Sequence, residues 1–222
     1  TIDGGAGFDT LVASLPAGEE DVSRYTNFER LNFLRTEQGT ITLAGASATA
    51  ERIDLIATST VLEGISTAAQ AGLAIYTLGG TLRLMEDTTV ASIDILQNDL
   101  TPGAVGLQVE GRVTGDITLG ATNDLVVNSG RVDGQIDLGD GNDTYRDAGA
   151  DVTNTVLLGE GVDRVEGDFG DLVDDSFNGF GDDDTLYLTD ARYALEDFNI
   201  GRGDLFTFSR DDQSIIFTDT DV

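Results

Sequence analysis

The chain has 222 residues, with 41 acidic against 12 basic side chains and a formal net charge of −29. Histidine and cysteine are both absent, which excludes Ser-His-Asp and Cys-His nucleophilic sites and zinc sites of the usual ligand type. A surface of this sign repels phosphate backbones and anionic headgroups, and no apolar run approaches the roughly 20 residues of a membrane-spanning helix, so neither a nucleic-acid partner nor membrane insertion is expected.

At 40% hydrophobic the chain is too apolar for a disordered acidic tail. It should fold, and the repulsion among its carboxylates must then be offset. Hard divalent cations such as calcium do this through oxygen ligands. All the basic residues are arginine.

The chain opens inside a glycine-rich motif, Gly4-Gly5-Ala6-Gly7-Phe8-Asp9-Thr10-Leu11-Val12, without Met or a signal peptide, so the expectation is a piece of a longer protein. Residues 15–30 space Val22, Tyr25 and Phe28 three apart, which suits a short helix or turn packed on the first coils. Short alternating apolar pairs follow: Leu31/Phe33, Ile41/Leu43, Ile53/Leu55, Leu73/Ile75, Leu82/Leu84, Ile93/Ile95 and Val105/Leu107. Alternation is strand periodicity, and Gly, Asp, Asn or Thr separates nearly all of the pairs. Residues 59–72, with Ala68-Ala69-Gln70-Ala71-Gly72, are the remaining helix candidate.

From residue 113 the repeat becomes plain. Val113-Thr114-Gly115-Asp116-Ile117-Thr118-Leu119-Gly120 recurs as Val132-Asp133-Gly134-Gln135-Ile136-Asp137-Leu138-Gly139 and as Val152-Thr153-Asn154-Thr155-Val156-Leu157-Leu158-Gly159. Each copy runs into an acidic loop, ending at Asp124, at Asp140-Gly141-Asn142-Asp143 and at Glu160-Gly161-Val162-Asp163. A fourth loop, Gly179-Phe180-Gly181-Asp182-Asp183, follows a strand whose phase slips at Phe177. At the end, 205–209 and 214–218 flank Arg210-Asp211-Asp212-Gln213 as a β-hairpin, a reasonable terminal cap.

Short strands recurring every 20 residues or so describe an all-β, parallel β-solenoid. One coil cannot bury its inward Val, Ile and Leu alone, so coils stack at the strand spacing of about 4.8 Å. A single elongated domain over 1–222 is expected: irregular coils with an N-terminal insertion over 1–112, regular acidic repeats over 113–186, and a cap over 187–222.

The candidate metal ligands are Asp9, Asp124, Asp140, Asp143, Asp163, Asp182 and Asp183, with loop glycines Gly5, Gly7, Gly139, Gly141, Gly159, Gly161, Gly179 and Gly181. Glycine permits positive φ, so a loop can turn its carbonyls toward a cation, and the Asp supplies a carboxylate beside them. Stacked loops would bring carbonyls of one coil and the carboxylate of its neighbour around a shared Ca2+. Ordinary turn chemistry, in which Asn, Asp and Gly dominate, accounts for the same residues without a metal.

The Gly4–Val12 run matches Gly-Gly-x-Gly-x-Asp-x-apolar-x at every fixed position, and so resembles the calcium β-roll repeat of RTX proteins. With the loops of 113–186, the chain resembles RTX-like and autotransporter-passenger-type solenoids of bacterial secreted and surface proteins. The resemblance departs in one respect: the nonapeptides here are solitary, about 20 residues apart, rather than in tandem. It implies calcium binding, an extracellular or cell-surface location, and a non-catalytic structural role in an adhesin, passenger or surface-layer protein. Neighbouring repeats, self-association or surface glycans are the implied partners.

The alternative is a β-helix polysaccharide-active enzyme (a lyase, hydrolase or epimerase) or its accessory glycan-binding module, because carboxylate pairs abundant enough for such chemistry are present. No catalytic residue stands out. Arg202-Gly203-Asp204 spells a cell-attachment tripeptide that recurs by chance, and Tyr145, Tyr187 and Tyr193 suit core or cap packing better than sugar stacking.

Overall fold

A computed structural model describes residues 1–34, 41–45, 50–56, 59–63, 74–77, 80–95, 105–173, 175–189, 199–201, 205–210 and 213–218. Among the described residues the chain is a parallel β-solenoid built on three main sheets, with a two-stranded sheet of Ile2–Asp3 and Tyr25–Thr26 besides. A twelve-stranded sheet runs the length of the molecule, a nine-stranded sheet forms a second face, and a four-stranded sheet closes the third side over the regular repeats. We call these the long, second and short sheets. One regular coil shows the path: Arg131–Val132 in the short sheet, Ile136–Asp137 in the long sheet, a glycine turn, then Thr144–Asp147 in the second sheet.

Register holds from coil to coil. In the long sheet one inward position is occupied in turn by Leu11, Leu31, Ile53, Ile75, Ile93, Ile117, Ile136, Val156, Phe177 and Phe217. From Leu31 onward every member is at most 1% exposed. Burying each such side chain contributes about 1.5–3 kcal/mol, and only stacking achieves it, because a lone coil leaves both flanks of the ladder wet. Ten parallel strands at about 4.8 Å give a rod roughly 45–50 Å long.

The chain turns from the second sheet into the short sheet on buried polar residues. Asn128 and Asp147 occupy equivalent inward positions. Asn128 accepts from the Gly130 N–H at 3.1 Å, and Asp147 accepts from Gly149 at 2.8 Å and Ala150 at 3.0 Å. The Tyr145 hydroxyl donates to Asp147 Oδ2 at 3.3 Å. These are Asx turns, in which a side chain satisfies backbone donors that the bend would otherwise strand.

Where an N-terminal insertion is expected, a 3-10 turn, Val22–Arg24, capped by Asp21, lies between strand Gly18–Asp21 of the second sheet and strand Tyr25–Thr26, which pairs with Ile2–Asp3. Val22, Tyr25 and Phe28 are all buried, as their spacing predicts. The helix expectation over 59–72 is corrected at its start: Ser59–Glu63 is a strand of the second sheet, parallel to Ile41–Ala44 and Gly80–Leu84. The rest of that segment, Arg202-Gly203-Asp204 and Tyr193 lie outside the described residues. After the last regular coil a short helix, Phe169–Leu172, buries Phe169 and Leu172.

The C-terminal hairpin forms, with Leu205–Arg210 antiparallel to Gln213–Thr218 and Asn199–Gly201 outermost. Gln213–Thr218 still runs parallel to Ser176–Asn178, so the change of strand direction ends the parallel stacking. Phe217 stacks on Phe177 with ring centroids 5.2 Å apart, and Phe180 lies 4.3 Å from Phe217, sealing that end with aromatic surface.

Candidate metal site at the stacked glycine turns

The turns 138–143, 158–163 and 178–184 stack at the corner between the long and second sheets, with 119–124 preceding them. The second and third repeats turn on a Gly-x-Gly pair: φ is +85° and +142° at Gly139 and Gly141, and +88° and +147° at Gly159 and Gly161. Close stacking makes these glycines obligatory as well as convenient. A Cβ on Gly159 would lie 1.6 Å from the Gly139 carbonyl oxygen, and one on Gly161 would lie 1.6 Å from that of Gly141. Main-chain bonds join the turns, from Asp140 N–H to Gly120 O at 3.2 Å and from Gly141 N–H to Glu160 O at 2.8 Å.

Two side-chain ladders of opposite polarity run along this corner. In the first, an asparagine accepts from the next coil: Asn123 Oδ1 from the Asn142 N–H and Asn142 Oδ1 from the Val162 N–H, both at 2.8 Å. In the second, each aspartate accepts from the coil before it. Asp143 Oδ1 takes the Asp124 N–H at 2.7 Å, Asp163 Oδ1 takes the Asp143 N–H at 2.8 Å, and Asp184 Oδ1 takes the Asp163 N–H at 2.7 Å.

At Asp143 and Asp163 the second ladder satisfies one carboxylate oxygen and leaves the other. Asp143 and Asp163 are 1% and 2% exposed, and the Oδ2 of each is buried with no hydrogen-bond partner. A buried ionised carboxylate with an unmet oxygen is costly. Burial accordingly pushes the Asp143 carboxyl up to about 7, with the charges of Asp124, Asp163 and Asp140 adding to it. Burial likewise raises Asp163 to about 6, with the charge of Asp184 adding. At neutral pH each of these oxygens calls for a proton or a cation.

The sequence-predicted residues divide into groups. Asp124, Asp143 and Asp163 stand in the column. Gly120, before Asp124, lacks the positive φ of its counterparts, and Thr122 takes the place of the second glycine, donating to Asp124 Oδ1 at 3.0 Å. Asp140 is exposed on the outer side of the turn, in register with Glu160. A shallow cavity of about 320 Å³ lies there, lined by Asp137, Asp140, Glu160, Asn178, Leu157 and Gly139, Gly159 and Gly179.

Asp182 and Asp183 are exposed, and neither joins the column. The member of that coil is Asp184, whose Oδ2 also accepts from the Gly181 N–H at 2.7 Å. Counting forward from Gly179 misses it. The strand itself has not slipped, because Phe177 is paired with Val156. One residue is lost between Phe177 and Gly179 and regained between Gly179 and Asp184. The pairing of Thr185 with Arg164 is what puts Asp184 at the column position.

Asp9 is placed elsewhere. Its turn, with φ of +98° at Gly5 and +128° at Gly7, leads into the long sheet, whereas the later turns lead out of it. The motif that matches the nonapeptide best is thus at a different corner from the repeats, and the expectation of a single column is corrected to two positions. The chemistry there is similar. Glu29 of the next coil accepts from the Asp9 N–H at 2.8 Å, and Asp9 Oδ2 is buried without a hydrogen-bond partner. Glu29 escapes the sequence reading because it is one carbon longer and has no glycines before it.

Among the described residues no three acidic side chains converge on one point. The column offers carboxylates one per coil, and the donor set at the corner is oxygen throughout, which suits a hard cation. The chain matches no protein-family model, no curated protein and no solved structure.

Proposed function

We propose that the chain is a non-catalytic, calcium-binding structural segment of an exported protein of adhesin, passenger or surface-layer type. The carrying observation is the pair of buried, unpartnered oxygens, Asp143 Oδ2 and Asp163 Oδ2, in a column of like charge. Ca2+ takes six to eight oxygen ligands, and Asp143 and Asp163 would hold it with turn carbonyls of the same corner. Asp9 Oδ2 offers an equivalent oxygen at the first turn. The ion would neutralise carboxylates that burial has already desolvated.

Stabilisation by an ion that binds only the folded form follows its concentration, reaching about 2.7 kcal/mol per site at a hundredfold excess over Kd. Modules built for extracellular calcium bind at about 10⁻⁴–10⁻³ M, so such a chain would firm up on reaching the outside. A structural role is further supported by the outer faces, where arginines join acids of their own or adjacent coils: Arg30 and Arg52 to Asp54, Arg83 to Glu110, Arg112 and Arg131 to Asp133, Arg146 and Arg164 to Glu166.

The test is melting and trypsin digestion in calcium against chelator, with calcium titrated calorimetrically into the stripped protein. Calcium should raise the Tm by many degrees and protect the arginines, with an Asp143→Asn/Asp163→Asn variant losing most of the shift. Identical melting in both buffers with no heat of binding would remove the metal and leave the solenoid standing.

A further inference from the structure

The short sheet stops at Asp151–Val152, and in the following coil the helix Phe169–Leu172 stands in the chain where a short-sheet strand would stand. Room for it comes from one residue. The inward position at this corner is Val109, Asn128 and Asp147 in successive coils, and then, one step on from the Arg146–Glu166 pair, Gly167. A Cβ on Gly167 would lie 3.0 Å from the Leu172 side chain and 3.2 Å from Asp147 Cβ. The missing side chain lets the helix close over Asp147, with Leu172 wholly buried. Phe169 holds the helix to the terminal hairpin by an edge contact with Phe208, ring centroids 6.5 Å apart.

The helix brings acids onto an acid. Asp147 is 3% exposed, and Asp175, just beyond the helix, is 7% exposed. The charges of both bear on the Tyr145 hydroxyl. Asp171 faces Asp147 from the helix, and Asp168 stands behind Asp171. Among the described residues no arginine joins Asp147, Asp168 or Asp171, whereas Asp54, Glu110, Asp133 and Glu166 on the outer faces are all so joined. Both oxygens of Asp147 already accept hydrogen bonds, from Gly149, Ala150 and Tyr145. What the cluster lacks is relief of charge, which a proton supplies. Burial is the main cause that raises the Asp147 carboxyl, with the Asp171 charge adding to it, and burial with the Asp168 charge raises Asp171. Groups raised in the folded state stabilise it while protonated and lose that contribution as pH climbs through their folded values.

We propose that the helix Phe169–Leu172 is a pH-sensitive strap, closed over the Asp147 corner while the Asp147–Asp171 pair holds a proton and loosened when both carboxylates are ionised. Loosening bares Phe169 and Leu172 and uncovers the corner that leads into Asp151–Val152. The device is local, because a helix of four residues is held by two buried side chains and its own few bonds, and such segments open well below the cost of global unfolding. It is also separate from the glycine-turn column, which lies at the other edge of the second sheet.

Amide hydrogen exchange of the 222-residue chain in chelator, corrected for the intrinsic rate at each pH, tests this. The reporters are the N–H groups of Asp171 and Leu172, which donate to Asp168 O, and of Asp175, which donates to Leu172 O. Their protection should fall at least about tenfold from pH 5 to pH 8, one proton being worth at most tenfold per pH unit. Asp171→Asn keeps the helix and removes a charge, and should flatten that fall. Asp147→Asn should flatten it too, because its remaining oxygen still accepts from Gly149 and Ala150. The fall should persist in Asp143→Asn/Asp163→Asn, which silences the glycine-turn column and so separates the strap from the calcium reading. Protection that stays level from pH 5 to pH 8 in the parent overturns the proposal. So does a fall that survives both Asp147→Asn and Asp171→Asn, or one that disappears with Asp143→Asn/Asp163→Asn. Should Asp147→Asn fail to fold, Asp171→Asn decides alone.

Discussion

The backbone N–H of Asp143 donates to Oδ1 of Asp163, 2.8 Å away in the next coil. The same carboxylate that steadies the preceding turn thereby has its second oxygen held in the interior without a partner. A hydrogen-bonding device and a charge problem are one feature, present at Asp143 and again at Asp163.

The pH dependence without metal follows from that problem. Asp143 and Asp163 are raised, to about 7 and about 6, from an ordinary value of 3.8. Between pH 4 and 7 the folded state binds more protons than the unfolded one, so stability falls as pH rises through this window. The acids held low act in a different window. Burial raises Asp54, but hydrogen bonds from Arg30 and Arg52 outweigh it, and Asp133 is lowered chiefly by Arg112; their contribution is lost only below about pH 4. Calorimetry in chelator should show Tm decreasing from pH 4.5 to 7.5, with saturating calcium flattening or reversing the slope. A chelator Tm that climbs over that interval contradicts the assignment.

Asp143→Asn keeps an oxygen to accept from Asp124 N–H but drops the charge. In chelator at pH 7.5 the variant should be at least as stable as the parent, and in calcium less stable. Asp143→Ala loses the acceptor too and should cost about 1–3 kcal/mol in both buffers, because the Asp124 N–H is stranded. Urea unfolding of the two variants separates the hydrogen bond from the charge.

Gly149 and Gly159 have nearly the same φ, +89° and +88°, in different surroundings. A Cβ on Gly149 meets nothing within 4 Å, whereas one on Gly159 meets the Gly139 carbonyl at 1.6 Å. Gly149→Ala should cost about 1–2 kcal/mol, the backbone penalty alone. Gly159→Ala must also push two coils apart and should exceed about 4 kcal/mol or abolish folding. Equal costs in urea denaturation would show that the turns do not stack this tightly.

The exclusive use of arginine has a local rationale on the long sheet. The Arg52 guanidinium lies 3.3 Å from the centre of the Tyr76 ring while its Nη2 reaches Asp54 Oδ1 at 2.6 Å. A planar fork can stack and bridge at once, which an ammonium cannot. Arg52→Lys should therefore cost about 1 kcal/mol, whereas Arg146→Lys, an exposed arginine with a single bond to Glu166, should stay within about 0.5 kcal/mol. Thermal melts of the two variants give the comparison.

Ladder positions were legible from the sequence because inward apolar residues must recur once per coil for any coil to be buried, and Ile117, Ile136 and Val156 announce that interval. The terminal hairpin was legible for the same reason, as two alternating runs about a polar turn. What alternation cannot supply is phase around the coil. The Gly4–Asp9 motif and the Gly139–Asp143 loop read alike, yet one enters the long sheet and the other leaves it. Phase is set by which strand each turn joins, a long-range pairing with no local signature. Asp184 shows the same limit at the scale of one residue, since strand register with Arg164 chose it over Asp182 and Asp183. Composition and spacing determined that this chain would coil and that its acids would be crowded. Only the stacking decided which carboxylates are buried, because burial at a corner depends on the coils above and below it.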